Sequence, residues 1–150
     1  MKHLYEPATA AEIRARLLNL RPDSARQWGT MSPGQAVAHC AAGVQMALGD
    51  TLPRRVLIGR LLGWIIKPLA LGNEALMRRN SPTVPEMLVP GERDLDAERR
   101  RLAGLIDRFT ENGPSGCTTH PHPFFGRLTP REWAVLMYKH LDHHLRQFGA

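Results

Sequence analysis

Near the C-terminal end of this 150-residue chain, two imidazoles sit in the middle of an apolar helical stripe. The segment is Trp133-Ala-Val-Leu-Met-Tyr-Lys-His-Leu-Asp-His-His-Leu-Arg-Gln147. A helix turns once in about 3.6 residues, so His140 and His144, four apart, point to one side. Trp133, Leu136 and Met137 lead into the pair along that side. An imidazole on a core-facing stripe needs a polar partner. A metal ion completed by a third histidine from a neighbouring helix is one solution. Hydrogen bonds to backbone or water are the other.

The rest of the chain reads as helices joined by turns, with no alternating strand pattern. A first helix runs through Ile13, Leu17 and Leu20, with Thr9 as its expected cap, and stops before Arg21-Pro22 because the residue before proline resists helical geometry. Ser32-Pro33-Gly34-Gln35 is a capping box with proline at the first helical position. The helix it starts has a wide apolar arc through Ala36, Val37, Cys40, Val44, Ala47 and Leu48, with His39 at one edge beside Gly43 and Met46, and it ends at Gly49-Asp50. Residues 54 to 71 read as a shorter helix or a pair of turns, apolar nearly all round and therefore expected to be covered. Gly59 and Gly63 in that segment would admit another backbone.

Residues 80 to 93 form a long turn-rich crossover through Asn80-Ser81-Pro82, Val84-Pro85 and Val89-Pro90-Gly91. Asp94 or Asp96 opens the next helix, whose apolar face carries Leu95, Leu102, Leu105, Ile106 and Phe109, with Glu98 on the same face. It stops at Asn112-Gly113-Pro114. A loop over 113 to 128 contains Cys117, His120, His122, Phe124 and Phe125. Thr129-Pro130-Arg131-Glu132 is a second capping box and starts the last helix.

A chain of this length fits one domain over residues 1 to 150 and can build a core without staples. Cys40 and Cys117 are distant in sequence and read as free thiols of a reducing compartment. The formal charge of +6 is carried by scattered arginines with acids among them, and 6% aromatic residues leave no stacking ladder, so nucleic-acid binding has only charge in its favour. The N-terminus lacks an apolar signal core. The greasiest stretch, Val56 to Leu71, is broken by Arg60, Lys67 and Pro68 well short of the roughly 20 residues of a membrane span. A soluble, cytoplasmic protein with no membrane partner is the expectation.

Three stretches resemble the DinB-like superfamily of metal-binding four-helix bundles. They are Trp28-Gly-Thr-Met-Ser-Pro-Gly-Gln-Ala-Val-Ala-His39, His122-Pro-Phe-Phe-Gly-Arg-Leu-Thr-Pro-Arg-Glu-Trp133 and His140-Leu-Asp-His-His144-Leu-Arg-Gln147. The resemblance covers most of the chain, and residues 50 to 92 match least. It implies an all-α bundle whose long connection between its second and third helices carries an extra short helix. It also implies a divalent metal, zinc or nickel first among the candidates, held by His39, His140 and His144. Superfamily members include thiol transferases using low-molecular-weight thiols, an isomerase linked to glutathione or mycothiol, and hydrolases. A metal-dependent transferase or hydrolase acting on a small substrate, such as a low-molecular-weight thiol, is the expectation that follows.

Glu98 is the candidate general base, with an ion pair to Arg101 or Arg131 as its ordinary alternative. Gln35 and Gln147 are candidates to orient ligand histidines. His143 points about 60° away from His140 and is read as lying behind the ligands or at the surface. Cys40 reads as a small buried thiol. His122, Phe124 and Phe125 either wall the pocket or pack their loop. The rival to a metalloenzyme is a non-catalytic bundle that binds an apolar ligand or a second copy of itself, with segment 54 to 71 as a greasy flap; a homodimer is the expected assembly.

Overall fold

Two capping boxes set where the helices around the histidines begin. Ser32 Oγ accepts the Gln35 N–H at 3.3 Å while Gln35 Oε1 accepts the Ser32 N–H at 2.9 Å. Thr129 Oγ1 accepts the Glu132 N–H at 3.2 Å, and Glu132 Oε2 accepts the Thr129 N–H at 2.7 Å. Each box satisfies two backbone donors that a helix start leaves without partners. The computed structural model describes residues 1–81 and 83–150, so the Pro82 end of the expected turn at 80 to 82 lies outside the described residues. It contains five α-helices: α1 (Pro7–Asn19), α2 (Pro33–Leu48), α3 (Leu57–Leu71), α4 (Leu95–Asn112) and α5 (Pro130–Arg146). Single 3₁₀ turns lie at Pro85–Met87 and Pro114–Gly116. Among the described residues there is no strand, only an isolated antiparallel bridge between His122 and Gly126. The all-helical expectation holds.

α2 packs against α4 and α5, and α1 packs against the same two helices. Twelve of the sixteen residues of α2 are buried, as its wide apolar arc requires. Alanine and glycine make up much of that surface, so neighbouring helices come close. Ile13, Val44, Ile106, Phe109, Trp133 and Leu141 are all but inaccessible between them. The buried face of α4 is the one expected, Leu95, Leu102, Leu105, Ile106 and Phe109, and Asp94 is its cap.

Two expectations need correction. α1 starts at Pro7, with Glu6 in the cap position, so Thr9 lies inside the helix. Thr9 Oγ1 donates to Glu6 Oε2 at 2.9 Å instead of capping. Proline at the first turn fixes φ without sacrificing a needed N–H, which allows the earlier start.

The segment after α2 is a fifteen-residue helix, α3, and it is not covered. Only one side touches protein. An added Cβ on Gly59 would fall 2.4 Å from the Pro123 carbonyl oxygen, and one on Gly63 would fall 2.3 Å from that of Phe124. The glycine pair therefore admits a backbone, as its spacing suggested, but that backbone is a loop and leaves the opposite face bare. Lys67 pairs with Glu132 at 2.8 Å and Lys139 Nζ donates to the Ala70 carbonyl at 2.6 Å, tying α3 to α5.

The crossover after α3 returns over the core, burying Val84 and Met87 while leaving Leu88 exposed. Gln35 Nε2 donates to the carbonyls of Val89 and Gly91, at 3.3 and 3.0 Å, and pins the crossover to the start of α2.

Replacing the cap residue of either box removes a side-chain acceptor from a helix start. Ser32→Ala and Thr129→Ala should each lower unfolding free energy by about 1 kcal/mol. The two caps share no partners, so the double variant should show the sum, read from the midpoint of urea denaturation at unchanged slope.

Candidate metal centre

α2 and α5 bring three imidazoles to one point. The ring centroids of His39, His140 and His144 are 4.8 Å apart in every pairing. One ring nitrogen of each lies within 4.8 Å of the others, and His39 Nε2 and His140 Nε2 are 2.9 Å apart. All three residues are buried. Among the described residues they are the group of potential ligands that converges in this way.

Hydrogen bonds at the rear of two rings decide which nitrogens face the centre. His39 Nδ1 is 2.9 Å from the carbonyl oxygen of Met87, in the 3₁₀ turn of the crossover. A carbonyl only accepts, so Nδ1 carries the proton and Nε2 keeps its lone pair. His144 Nδ1 is 2.9 Å from Gln147 Oε1. The Gln147 amide nitrogen donates to the Trp28 carbonyl at 2.8 Å, which fixes the amide the right way round. Its oxygen must then accept from His144 Nδ1–H, and His144 Nε2 is also left as a lone pair. Gln147 is 2% exposed, so no solvent competes for these bonds.

Glycines make the space for this arrangement. A Cβ on Gly43 would stand 3.0 Å from His140 Nδ1. Gly29 has φ of +75° and its Cβ would sit 2.6 Å from Gln147 Nε2, so the chain after Trp28 can turn tightly against the glutamine.

Burial keeps the set uncharged. It holds His140 well below the usual imidazole range, with the neighbouring imidazoles adding to the effect. It brings His144 down to about 3, reinforced by His39 and opposed by the Gln147 bond. It lowers His39 as well, against the bond to Met87. Neutral imidazoles are the form that binds a cation, and His39 and His144 already turn lone pairs inward. His140 Nε2 donates its hydrogen to His39 Nε2 in the ion-free chain, so an ion would take that place once the His140 proton has moved to Nδ1. The donor set fits a divalent ion of borderline softness.

The other candidates fall elsewhere. Glu98 is not among the converging residues. Its carboxylate pairs with Arg101 at 2.8 Å, and Arg101 also donates to Gln45 Oε1 at 2.7 Å, so the ordinary alternative describes its contacts. Gln35 completes its capping box and holds the crossover, so it orients no ligand histidine. Cys40 is buried and its thiol is pushed far up by burial. Cys117 is free and lies 2.9 Å from the Tyr5 hydroxyl.

His122 Nδ1 accepts the backbone N–H groups of Phe124 and Phe125, at 3.1 and 3.3 Å, and its ring stacks on Phe125. It closes its own loop, and Phe124 and Phe125 pack that loop on the core. His120 is 3.0 Å from the Pro53 carbonyl through Nε2. His143 stands edge-on to His144 and 5.4 Å from the Trp28 ring. It lines a cleft of about 430 Å³ with Trp28, Met77, Arg79 and Arg146, and the Arg79 guanidinium lies 4.1 Å over the Trp28 ring.

Sequence reasoning missed the Met87 carbonyl, the Trp28 carbonyl and the need for Gly43. Backbone groups carry no side-chain signal. Only Gln147, three residues after His144 at the cap of the same helix, could be nominated in advance.

The buried histidines make the ion-free protein sensitive to mild acid. Unfolded imidazoles take up protons near pH 6.5. In the folded chain burial holds His122 to about 4 and His144 to about 3. The unfolded state therefore binds more protons as pH falls, and stability present above about pH 6.5 is lost on the way down toward those folded values. Urea midpoints of chelator-treated protein should drop between about pH 7 and 5, where carboxylates contribute little. A flat profile over that window would contradict the arrangement.

No curated protein and no solved structure matches the chain. One family model spans residues 5–150, from just before α1 to the end of the chain. By that match the chain belongs to the family described as Protein of unknown function (DUF1569).

Proposed function

We propose that this protein binds a divalent metal ion through His39, His140 and His144 and uses it in transferase or hydrolase chemistry on a small substrate. The observation that carries the reading is the pair of rear hydrogen bonds, to the Met87 carbonyl and to Gln147, which leave two Nε2 lone pairs aimed at one point. Hydrogen bonds of this kind are how proteins fix the tautomer and orientation of a ligand histidine. Zinc or nickel is the ion this reading favours, and three imidazoles also suit iron, copper or manganese to varying degrees. With three protein ligands and an open position, the ion would polarise a carbonyl or lower the pKa of a water or thiol.

The resemblance to the DinB-like superfamily fits the helix contacts. α1, α2, α4 and α5 each touch two of the others, as a four-helix bundle requires, with α3 as the addition in the long crossover. The cleft beside His143 has the usual size of a small-molecule site, but it is lined by Asp142, His143 and Arg146 and by none of the three imidazoles, so the reading seats the substrate at the open position of the ion and not in that cleft. Glu98 has its contacts with Arg101, so the reading gives it an ion pair and no proton transfer. Free Cys40 and Cys117 accord with a reducing, cytoplasmic setting. The apolar-ligand alternative has little room inside the helices. The cavity between Ile13, Cys40, Leu102 and His144 measures about 10 Å³, barely a water.

Protein purified without a histidine tag should carry a single divalent ion per chain by elemental analysis. His140→Ala should lose it. Gln147→Leu should keep the ligands but weaken binding by about 10- to 100-fold in competition with a chromophoric chelator. Stoichiometric metal in His140→Ala would overturn the site. A screen of the loaded protein for thiol-dependent turnover tests the reaction class separately.

A further inference from the structure

The side of α3 that faces away from the loop is the largest unexplained feature of the surface. Leu57 is 72%, Leu61 64%, Trp64 75% and Leu69 67% exposed, and Ile58 and Ile65 continue the strip between them. On a helix of 3.6 residues per turn these side chains form one face, opposite Gly59 and Gly63. Arg60 and Lys67, seven apart, share one edge of it. Residues 51 to 73 contain Arg54, Arg55, Arg60 and Lys67 and no acid. Among the described residues Lys67 is paired with Glu132, whereas Arg54 and Arg60 have no salt bridge and are exposed.

We infer that α3 lies in the surface of an anionic membrane, with its apolar strip in the headgroup and acyl boundary and its arginines against lipid phosphates or carboxylates. The combination of Leu, Ile and Trp on one face with cations along its edge is what an interfacial helix needs. α3 is fifteen residues long, and no helix of the described structure is long and apolar enough to cross a membrane, so it rests on the bilayer. Absence of a spanning segment argued against insertion across a membrane, and surface binding has no such length requirement. Pro68 inside the helix removes one backbone donor and frees the carbonyl four residues earlier, at Trp64. Water reaches that depth, so the carbonyl stays hydrated there.

A second copy of the chain fits less well. The strip is about 22 Å long and 10 Å wide, against the roughly 800 Å² per partner that a stable interface takes. A two-fold pairing would also bring the basic edges of both copies together without an acid between residues 51 and 73 to answer them. Anionic lipid supplies the missing charge.

The inference is independent of the metal, and its test keeps the two apart. Metal-loaded protein is floated with vesicles of phosphatidylcholine alone and with about a third phosphatidylserine. Expected is binding to the mixed vesicles with a blue shift of tryptophan emission, weakened when salt is raised severalfold. Trp64→Ser with Leu61→Ser should reduce the partition coefficient by more than tenfold, with metal content and thermal stability unchanged because both side chains are exposed. Arg54→Ser and Arg60→Ser should each reduce binding to mixed vesicles by about fivefold. Failure to float with phosphatidylserine vesicles overturns the proposal. So does a concentration-dependent dimer in sedimentation that Leu61→Ser abolishes while vesicle binding is absent, which would assign the face to a second copy.

Discussion

Three uncharged imidazoles packed between α2 and α5 are the arrangement on which the rest of the structure turns. Burial keeps each in the neutral form with a single N–H, and without partners they would be a standing penalty in the core. The partners come from outside the two helices: the Met87 carbonyl from the crossover and, through Gln147, the Trp28 carbonyl from the loop before α2. Loops far apart in sequence are thus held to the helix pair by the orientation of its histidines. The Gln35 bonds to Val89 and Gly91 brace the same crossover from the start of α2. One capping box therefore sets the helix, anchors the crossover and helps place the carbonyl that orients His39.

A second polar knot lies next to the first. Asp142, between His140 and His144 on α5, accepts from Arg16 of α1 at 2.7 Å and from Arg146 at 2.8 Å. Arg16 also donates to the Ala150 carbonyl, so the last residue of the chain is fastened to α1. A buried carboxylate of this kind is tolerable only when its charge is answered on both oxygens, and here it is. The C-terminal turn that carries Gln147 is fixed by these contacts as well as by its own backbone, and the imidazole relay inherits that rigidity.

α3 obeys a different logic from the other helices. Its glycines let it sit closely on the loop at 123 and 124, and its lysine finds Glu132, yet most of its apolar surface faces outward. The helices that surround the core bury their apolar sides against one another. α3 buries its glycine edge and, at its last turn, Leu71, so most of its greasy composition is not accounted for by folding. That imbalance makes it an attached surface element, whatever the metal centre does.

Local chemistry was enough to place much of this in advance. The Ser32 and Thr129 boxes, the stop at Gly49 and the apolar face of α4 each depend on residues within one or two turns, and they stand where the residue pattern puts them. The i,i+4 geometry of His140 and His144 is likewise a property of one helix. What sequence pattern could not decide was everything that needs two distant segments. Thr9 looked like a cap because its rival, Pro7 at the first turn, carries little pattern of its own. Segment 54 to 71 looked covered because composition does not say whether a covering partner exists. His39 could be nominated as the third imidazole, and resemblance added weight to it, but no local pattern fixed that it meets the C-terminal pair; the Met87 and Trp28 carbonyls were invisible, since backbone groups are alike at every position. By itself the sequence determined the starts of α2, α4 and α5, the helix faces around the core and the spacing of two imidazoles, all short-range consequences of backbone geometry. Only the tertiary structure decided which nitrogens face one another, because that depends on hydrogen bonds closed between distant segments, from His39 to Met87 and from Gln147 to Trp28.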